Sequence, residues 1–197
     1  WPGPLTLILK RAIGVSDLVT GGQDSVGVRV PSHPVAQALL TAFGGGIVAP
    51  SANRFGRVST TTAQHVAEEL GERVDYVLDG GASDIGIEST IVDARGAHPV
   101  LLRPGHISAG EIEAAAGVSL QAPGAGAPRV SGALAAHYAP ATTLLLLEAD
   151  LILELAATLS RQGKRVAVLA RSTRQPLLDG LLWKAAPEDA GGYAHDL

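Results

Sequence analysis

The sequence contains no cysteine. Disulfides, zinc–thiolate sites and cysteine nucleophiles are excluded together, and the absence fits a reducing compartment. Aromatic residues make up only 4%, so the core has to be built from Leu, Val, Ile and Ala. Charged residues are also sparse, and the net charge of −4 removes any bulk attraction to nucleic acid while leaving room for a local basic patch. No apolar run approaches the roughly eighteen residues of a membrane helix; the longest candidate lies near Leu144–Leu147. No charged-then-apolar leader precedes the first strand. The expected location is therefore the cytoplasm, with no membrane partner. There is no Gly-x-x-x-x-Gly-Lys-Ser/Thr loop and no Gly-x-Ser-x-Gly elbow, and Gly80-Gly81 to Gly86 does not match the dinucleotide fingerprint. His33, His65, Asp75, Asp79 and Asp84 lack ligand spacing, so no protein-built metal site is expected. Methionine is missing too. The chain opens at full strand-like density on Trp1-Pro2-Gly3-Pro4 and closes on Tyr193–Leu197, which reads as an entering helix; the expectation is a piece of a longer protein cut at both ends.

What is present is aliphatic and periodic. Hydrophobic residues reach 46% of 197, enough for one large or two small domains. Leu5–Leu9 reads as a strand. Ser25–Val30 alternates, with Val26, Val28 and Val30 on one face and Ser25, Gly27 and Arg29 on the other. Pro34–Phe43 reads as a helix capped by Ser32 and stopped by Gly44-Gly45-Gly46. Short strands are expected at Ile47–Ala49, Val74–Leu78, Ser89–Val92 and Val100–Leu102, with a helix over Thr62–Leu70. Ser108 and Glu111 have capping-box spacing ahead of a helix to about Ala116. Gln121–Arg129 is rich in Ala, Pro and Gly and reads as a linker. Beyond it, a strand at Thr142–Leu147, a helix at Leu151–Gln162 and a strand at Arg165–Ala170 suggest a βαβ unit. The expected fold is α/β: a twisted open-sheet domain over residues 1–117, a linker over 118–140 and a small Rossmann-like domain over 141–197.

The polar residues that break this apolar pattern are the candidates for chemistry. Ser51-Ala52-Asn53 follows an apolar run and Pro50. An isolated Ser-x-Asn is most often a turn, but at a strand end of an α/β sheet it faces the crevice where ligands bind. Ser59 and Thr60-Thr61-Thr62 offer hydroxyls to a phosphate or a cap to the next helix. Arg29 sits between valines, where burial requires a partner; a substrate carboxylate would suit its bidentate fork. Ser89-Thr90-Ile91-Val92-Asp93 follows a glycine-rich stretch and Glu88, and Arg103 before Pro104-Gly105 reads as a turn cation. His137-Tyr138 sits on the linker, where polar-tipped residues could fold over a cleft.

In order along the chain, Trp1 to Thr6, Ser25 to Pro31 (Ser-Val-Gly-Val-Arg-Val-Pro), Ala49 to Asn53, Ser89 to Asp93, Arg103-Pro104-Gly105, Ser131-Gly132 and His137 to Pro140 resemble the YrdC family of threonylcarbamoyl-AMP synthases, in its long two-domain form. The resemblance covers essentially the whole chain. It implies a nucleotidyltransferase that condenses L-threonine, bicarbonate and ATP into threonylcarbamoyl-AMP for threonylcarbamoyladenosine modification of tRNA, which it would reach through a downstream transferase complex. It further implies that Arg29 and Ser89 hold threonine, that Ser25, Ser51, Ser59, Arg103, His137 and Tyr138 hold ATP, and that Ser51 and Asn53 form the catalytic signature. Mg²⁺ would arrive on the ATP phosphates. The family's Lys-x-Arg pair belongs upstream of Trp1 and is not in this sequence. The chain as it stands is therefore expected to bind weakly and turn over little, the activity belonging to a longer parent. Two alternatives remain at this point: an RNA-binding module without turnover, and the carbamoyl-adenylate-forming relative of hydrogenase maturation, against which the His137–Pro140 tether and the trailing βαβ unit argue.

Overall fold

The computed structural model describes residues 1–132, 140, 142–176 and 180–196. His137 and Tyr138 lie outside the described residues. The chain divides into two compact units, residues 1–83 with 87–139 and residues 84–86 with 140–197. The fold is mixed α/β, with a four-stranded sheet in the first unit and a smaller second unit.

In the first unit β1 (Leu5–Lys10), β2 (Ser25–Val28), β3 (Thr90–Asp93) and β4 (Val100–Arg103) pair in the order β2-β1-β3-β4. The β1–β2 and β3–β4 pairs are antiparallel, and β1–β3 is parallel. Ile8, Ile91 and Val92 are its buried aliphatic residues, and Thr90 is wholly buried with its hydroxyl donating to the Ile107 carbonyl at 2.6 Å. The bond matters because a buried hydroxyl without a partner is costly. At the Lys10 end Arg95 clasps Asp93 with two bonds, Nε to Oδ1 at 2.9 Å and Nη2 to Oδ2 at 3.0 Å, and reaches Asp24 at 3.2 Å. The guanidinium holds the Asp93 carboxyl below its ordinary pKa.

The described residues of this unit include four α-helices, α1 (Asp17–Thr20), α2 (Pro34–Phe43), α3 (Ala63–Leu70) and α4 (Ala109–Ala116), and a 3-10 turn at Gly71–Arg73. The sequence misses the short α1. It also assigns the cap of α2 to Ser32, whereas His33 holds that position: its backbone is extended and Nδ1 accepts from the Val35 N–H at 3.3 Å. The Ser108–Glu111 capping box forms as expected.

Ile47–Ala49, Val74–Leu78 and Thr142–Leu147 are not strands. Val48, Leu78, Leu144 and Leu145 are exposed. An apolar run becomes a strand only where a sheet edge supplies partners for its backbone. The second unit carries α5 (Ala149–Arg161), β5 (Val166–Ala170), β6 (Leu181–Ala185) and α6 (Ala190–Asp196). β5 and β6 pair in parallel and α5 packs on β5, so the parallel pair lies downstream of α5 and does not flank it.

The stretch read as a linker is tied to the first unit. Gln121 bridges the outer side of β4 at Val100. Arg129 exchanges bonds with Gln23 just before β2, its N–H to Oε1 at 2.8 Å and its carbonyl from Nε2 at 3.1 Å.

Candidate functional site

Strand alternation places a set of polar side chains on one face of the sheet. The β1–β2 register pairs Ile8 with Gly27, β1–β3 pairs Thr6 with Ile91, and β3–β4 pairs Ile91 with Arg103. Residues two apart share a face, so Thr6, Arg29, Ser89 and Arg103 come to the same face at the same end. The sheet is mixed, so this end joins the starts of β1 and β3 to the ends of β2 and β4. It is not the all-carboxyl edge of a parallel sheet.

Arg103 is 9% exposed and uses its whole guanidinium. Nε and Nη2 donate to the Ser89 carbonyl at 3.1 and 2.8 Å, Nη2 also reaches Ser89 Oγ at 3.1 Å, and Nη1 donates to the Ser131 carbonyl at 2.9 Å. Glu88 Oε2 lies 3.7 Å from Nη2. This corrects the reading of Arg103 as an exposed turn cation: β4 carries it to its last residue and folds it inward. Gly105 explains how the chain turns there, since a Cβ at that position would stand 2.5–2.6 Å from the Glu88–Thr90 backbone.

Arg29 donates Nε to the Gly3 carbonyl at 3.0 Å. Among the described residues its two terminal nitrogens have no hydrogen-bond partner. Its pKa is lowered, first by burial and then by the like charge of Arg103, while Glu88 opposes the shift. An arginine stays protonated regardless. The consequence is a partly desolvated cation with its fork unused. Ser89 Oγ lies 2.9 Å from Thr6 Oγ1, and Ser59 Oγ donates to Glu88 Oε1. Two guanidiniums, one carboxylate and three hydroxyls thus form a polar cluster on an otherwise aliphatic sheet. Thr6 and Glu88 were not singled out as site residues from the sequence; the signal was that each sits beside a residue that was, one across the ladder and one along the chain.

The other candidates are placed as follows. Ser51 is exposed. Asn53 donates both N–H groups of its amide inside its own loop, to the carbonyls of Arg54 at 3.0 Å and Arg57 at 3.1 Å, and its Oδ1 is buried without a hydrogen-bond partner among the described residues. Thr60 Oγ1 donates to the Ala52 carbonyl, closing the loop on itself. Ser59 connects this loop to the cluster through Glu88. Beside it is an open groove of about 280 Å³ lined by Val58, Ser59, Thr60, His65, Glu68 and Glu69. Ser25 is buried opposite Lys10, four residues before Arg29 and so about 13 Å along the strand from it. The structure does not bring Ser25 to the cluster. Among the described residues no three His, Cys, Asp or Glu side chains are grouped to hold a metal, and no helix is long and apolar enough to cross a membrane.

The Sua5/YciO/YrdC family model, described as "Telomere recombination", matches residues 1–105, and the model described as "Threonylcarbamoyl-AMP synthase, C-terminal domain" matches residues 107–197. The chain is 39% identical over 180 residues to a threonylcarbamoyl-AMP synthase of Pyrococcus abyssi, covering 86% of this chain and 53% of that protein. It is 41% identical over 176 residues to the enzyme of that name from Bacillus subtilis, covering 86% and 51%. It therefore spans about half the length of these curated relatives. A crystal structure of P. abyssi Sua5 complexed with L-threonine matches with a TM-score of 0.86 and 34% identity, over 100% of this chain and 60% of that one.

Proposed function

Because the chain belongs to the Sua5/YciO/YrdC family, we propose that its polar cluster serves the synthesis of threonylcarbamoyl-AMP from L-threonine, bicarbonate and ATP, the activated group being passed on for tRNA modification. The observation that carries this reading is the fork of Arg29, without a partner among the described residues and on the same sheet face as Ser89 and Arg103. A planar fork matches a carboxylate bidentately, and desolvation strengthens the pair. Arg29 binds the threonine carboxylate. The Ser89 hydroxyl, oriented by Arg103 and Thr6, takes a polar group of the same substrate.

Threonine nitrogen bonds to the bicarbonate carbon and water leaves. The resulting carbamate oxygen attacks the α-phosphorus of ATP, and the bond to the β-phosphate breaks to release pyrophosphate. Ser51 and Ser59 lie on the loop beside the cluster and are the hydroxyls proposed for the nucleotide, with Asn53 completing the catalytic signature. Arg103, with its donors engaged by the protein, contributes its fixed positive charge toward the departing pyrophosphate and holds Ser89 in place. His137 and Tyr138 are proposed to close over the nucleotide from the 118–140 segment; the bond from Arg103 to the Ser131 carbonyl, close to that stretch, supports the idea. Mg²⁺ would come with the ATP phosphates, because the cluster's carboxylate, Glu88, is already engaged by Ser59 and Arg103.

The test is pyrophosphate release from ATP by a form of the protein as long as its relatives, with labelled bicarbonate followed into the adenylate; this chain, which spans about half that length, is expected to turn over little. Release that requires both L-threonine and bicarbonate is expected. ATP-independent, salt-sensitive RNA binding with no adenylate formed would replace this reading by that of an RNA-binding module.

A further inference from the structure

Glu69 is the next-to-last residue of α3, where the helix dipole disfavours an acidic side chain. Its carboxylate is held there by a partner. Glu69 Oε1 accepts from the Arg54 backbone N–H at 3.2 Å and from Arg54 Nε at 3.0 Å. These bonds lower the Glu69 pKa, the side-chain bond most, so the acceptor stays ionised. The two contacts are not equivalent. The ion pair joins a half-exposed guanidinium to the helix and is worth little in solvent. The backbone bond fixes the peptide that directly follows Asn53.

We propose that Glu69 is a positioning residue that, through the Arg54 backbone N–H, holds the Ser51–Arg57 loop in the conformation that turns both Asn53 N–H groups inward and so sets the orientation of its amide in the site. The proposal rests on the reading of the site given above. With the loop so held, both Asn53 N–H bonds are directed at the Arg54 and Arg57 carbonyls, which also fixes the orientation of the amide, because a flipped amide would set an oxygen against two carbonyls. Oδ1 is left buried and without a partner among the described residues. A buried acceptor with none is costly, so the loop conformation needs an outside tether to persist, and Glu69 supplies it.

The experiment follows hydrogen exchange at the Arg54 amide and the Asn53 side-chain NH₂ in the ¹⁵N-labelled chain, and in parallel kcat and KM for ATP and for threonine in the longer form. Glu69→Ala is expected to speed exchange at both sites by about tenfold or more, the scale of one lost charge-assisted hydrogen bond. It should also lower kcat/KM for ATP about 10- to 100-fold, as loop misplacement does, with the KM for threonine unmoved. Glu69→Gln keeps an acceptor oxygen and should restore slow exchange and turnover. Arg54→Ala keeps the backbone N–H and should also resemble the parent. Should Glu69→Ala not fold, Glu69→Asp keeps the charge but withdraws the oxygen by one methylene, and carries the same comparison. Arg54→Ala behaving like Glu69→Ala would overturn the proposal, because the ion pair alone would then matter. Unchanged exchange in Glu69→Ala would overturn it too. A form as long as the relatives that never releases pyrophosphate in response to threonine and bicarbonate sinks the functional reading, while exchange in this chain still decides the role of Glu69.

Discussion

At the scale of single residues the two arginines separate by what their nitrogens are doing. The fork of Arg29 has no hydrogen-bond partner among the described residues. Arg29→Lys replaces it with a point charge, so the KM for threonine should rise more than that for ATP, by about 1–3 kcal/mol if the pair is desolvated. Steady-state kinetics against each substrate checks this, and an unchanged threonine KM would remove Arg29 from the substrate site. Arg103 is spent on the protein. Arg103→Ala leaves the buried Ser89 carbonyl without its donor and should cost about 1–3 kcal/mol in urea unfolding, the range for a buried polar group left unsatisfied. That reverses the expectation for an exposed turn residue. The sequence pointed to Arg29 because an arginine among valines demands a partner. It misplaced Arg103 because Pro104-Gly105 looks the same after a surface turn and after the buried end of a strand. Glu88 and Thr6 could not be paired with the cluster until the register of β1, β2 and β3 was known.

Elements read well from the sequence where local chemistry decides them, and poorly where a partner does. The helices α2, α3 and α4 carry their own stops or caps, and their bounds differ little from the expectation. Ile47–Ala49 and Val74–Leu78 have strand-like composition, but a ladder needs a neighbour that composition does not reveal. Two glycines test how closely elements approach. In Gly105→Ala the new Cβ would strike the backbone of Glu88–Thr90, so β4 must shift off β3; a loss of about 1–3 kcal/mol, typical of overpacking, is expected together with a disturbed Ser89–Arg103 cluster, the site proposed for threonine. Gly110→Ala meets nothing within 4 Å inside α4 and should stabilise by about 0.5–1 kcal/mol. Thermal and urea melts of the two variants should move in opposite directions. At the other end of the sheet the Asp93 carboxyl titrates below its unfolded value because of Arg95. Its contribution to stability is therefore fully present above the ordinary aspartate pKa and is lost as pH falls through the lowered one. Asp93→Asn should flatten the acid side of a plot of urea midpoint against pH.

For the molecule as a whole the decisive quantity is exposed area. The buried aliphatics of the four-stranded sheet are Ile8, Ile91 and Val92, while Leu39, Phe43, Val48, Tyr76 and Leu78 stand exposed. The hydrophobic effect scales with apolar area removed from water, so these exposed side chains add little to the stability of this chain by itself. A small margin of stability follows, and with it a strong response to anything that binds only the folded form. The isolated chain should bind the apolar dye ANS without denaturant and unfold in a broad transition with a shallow dependence on urea. L-threonine and ATP at about a hundred times their Kd should each add about 2.7 kcal/mol by mass action, a large fraction of so small a total, and the melt should sharpen visibly. Calorimetry and dye binding in the presence and absence of the two ligands measure both effects. A steep, ligand-independent transition with no dye bound would show that the exposed apolar surface is not the weakness the area implies.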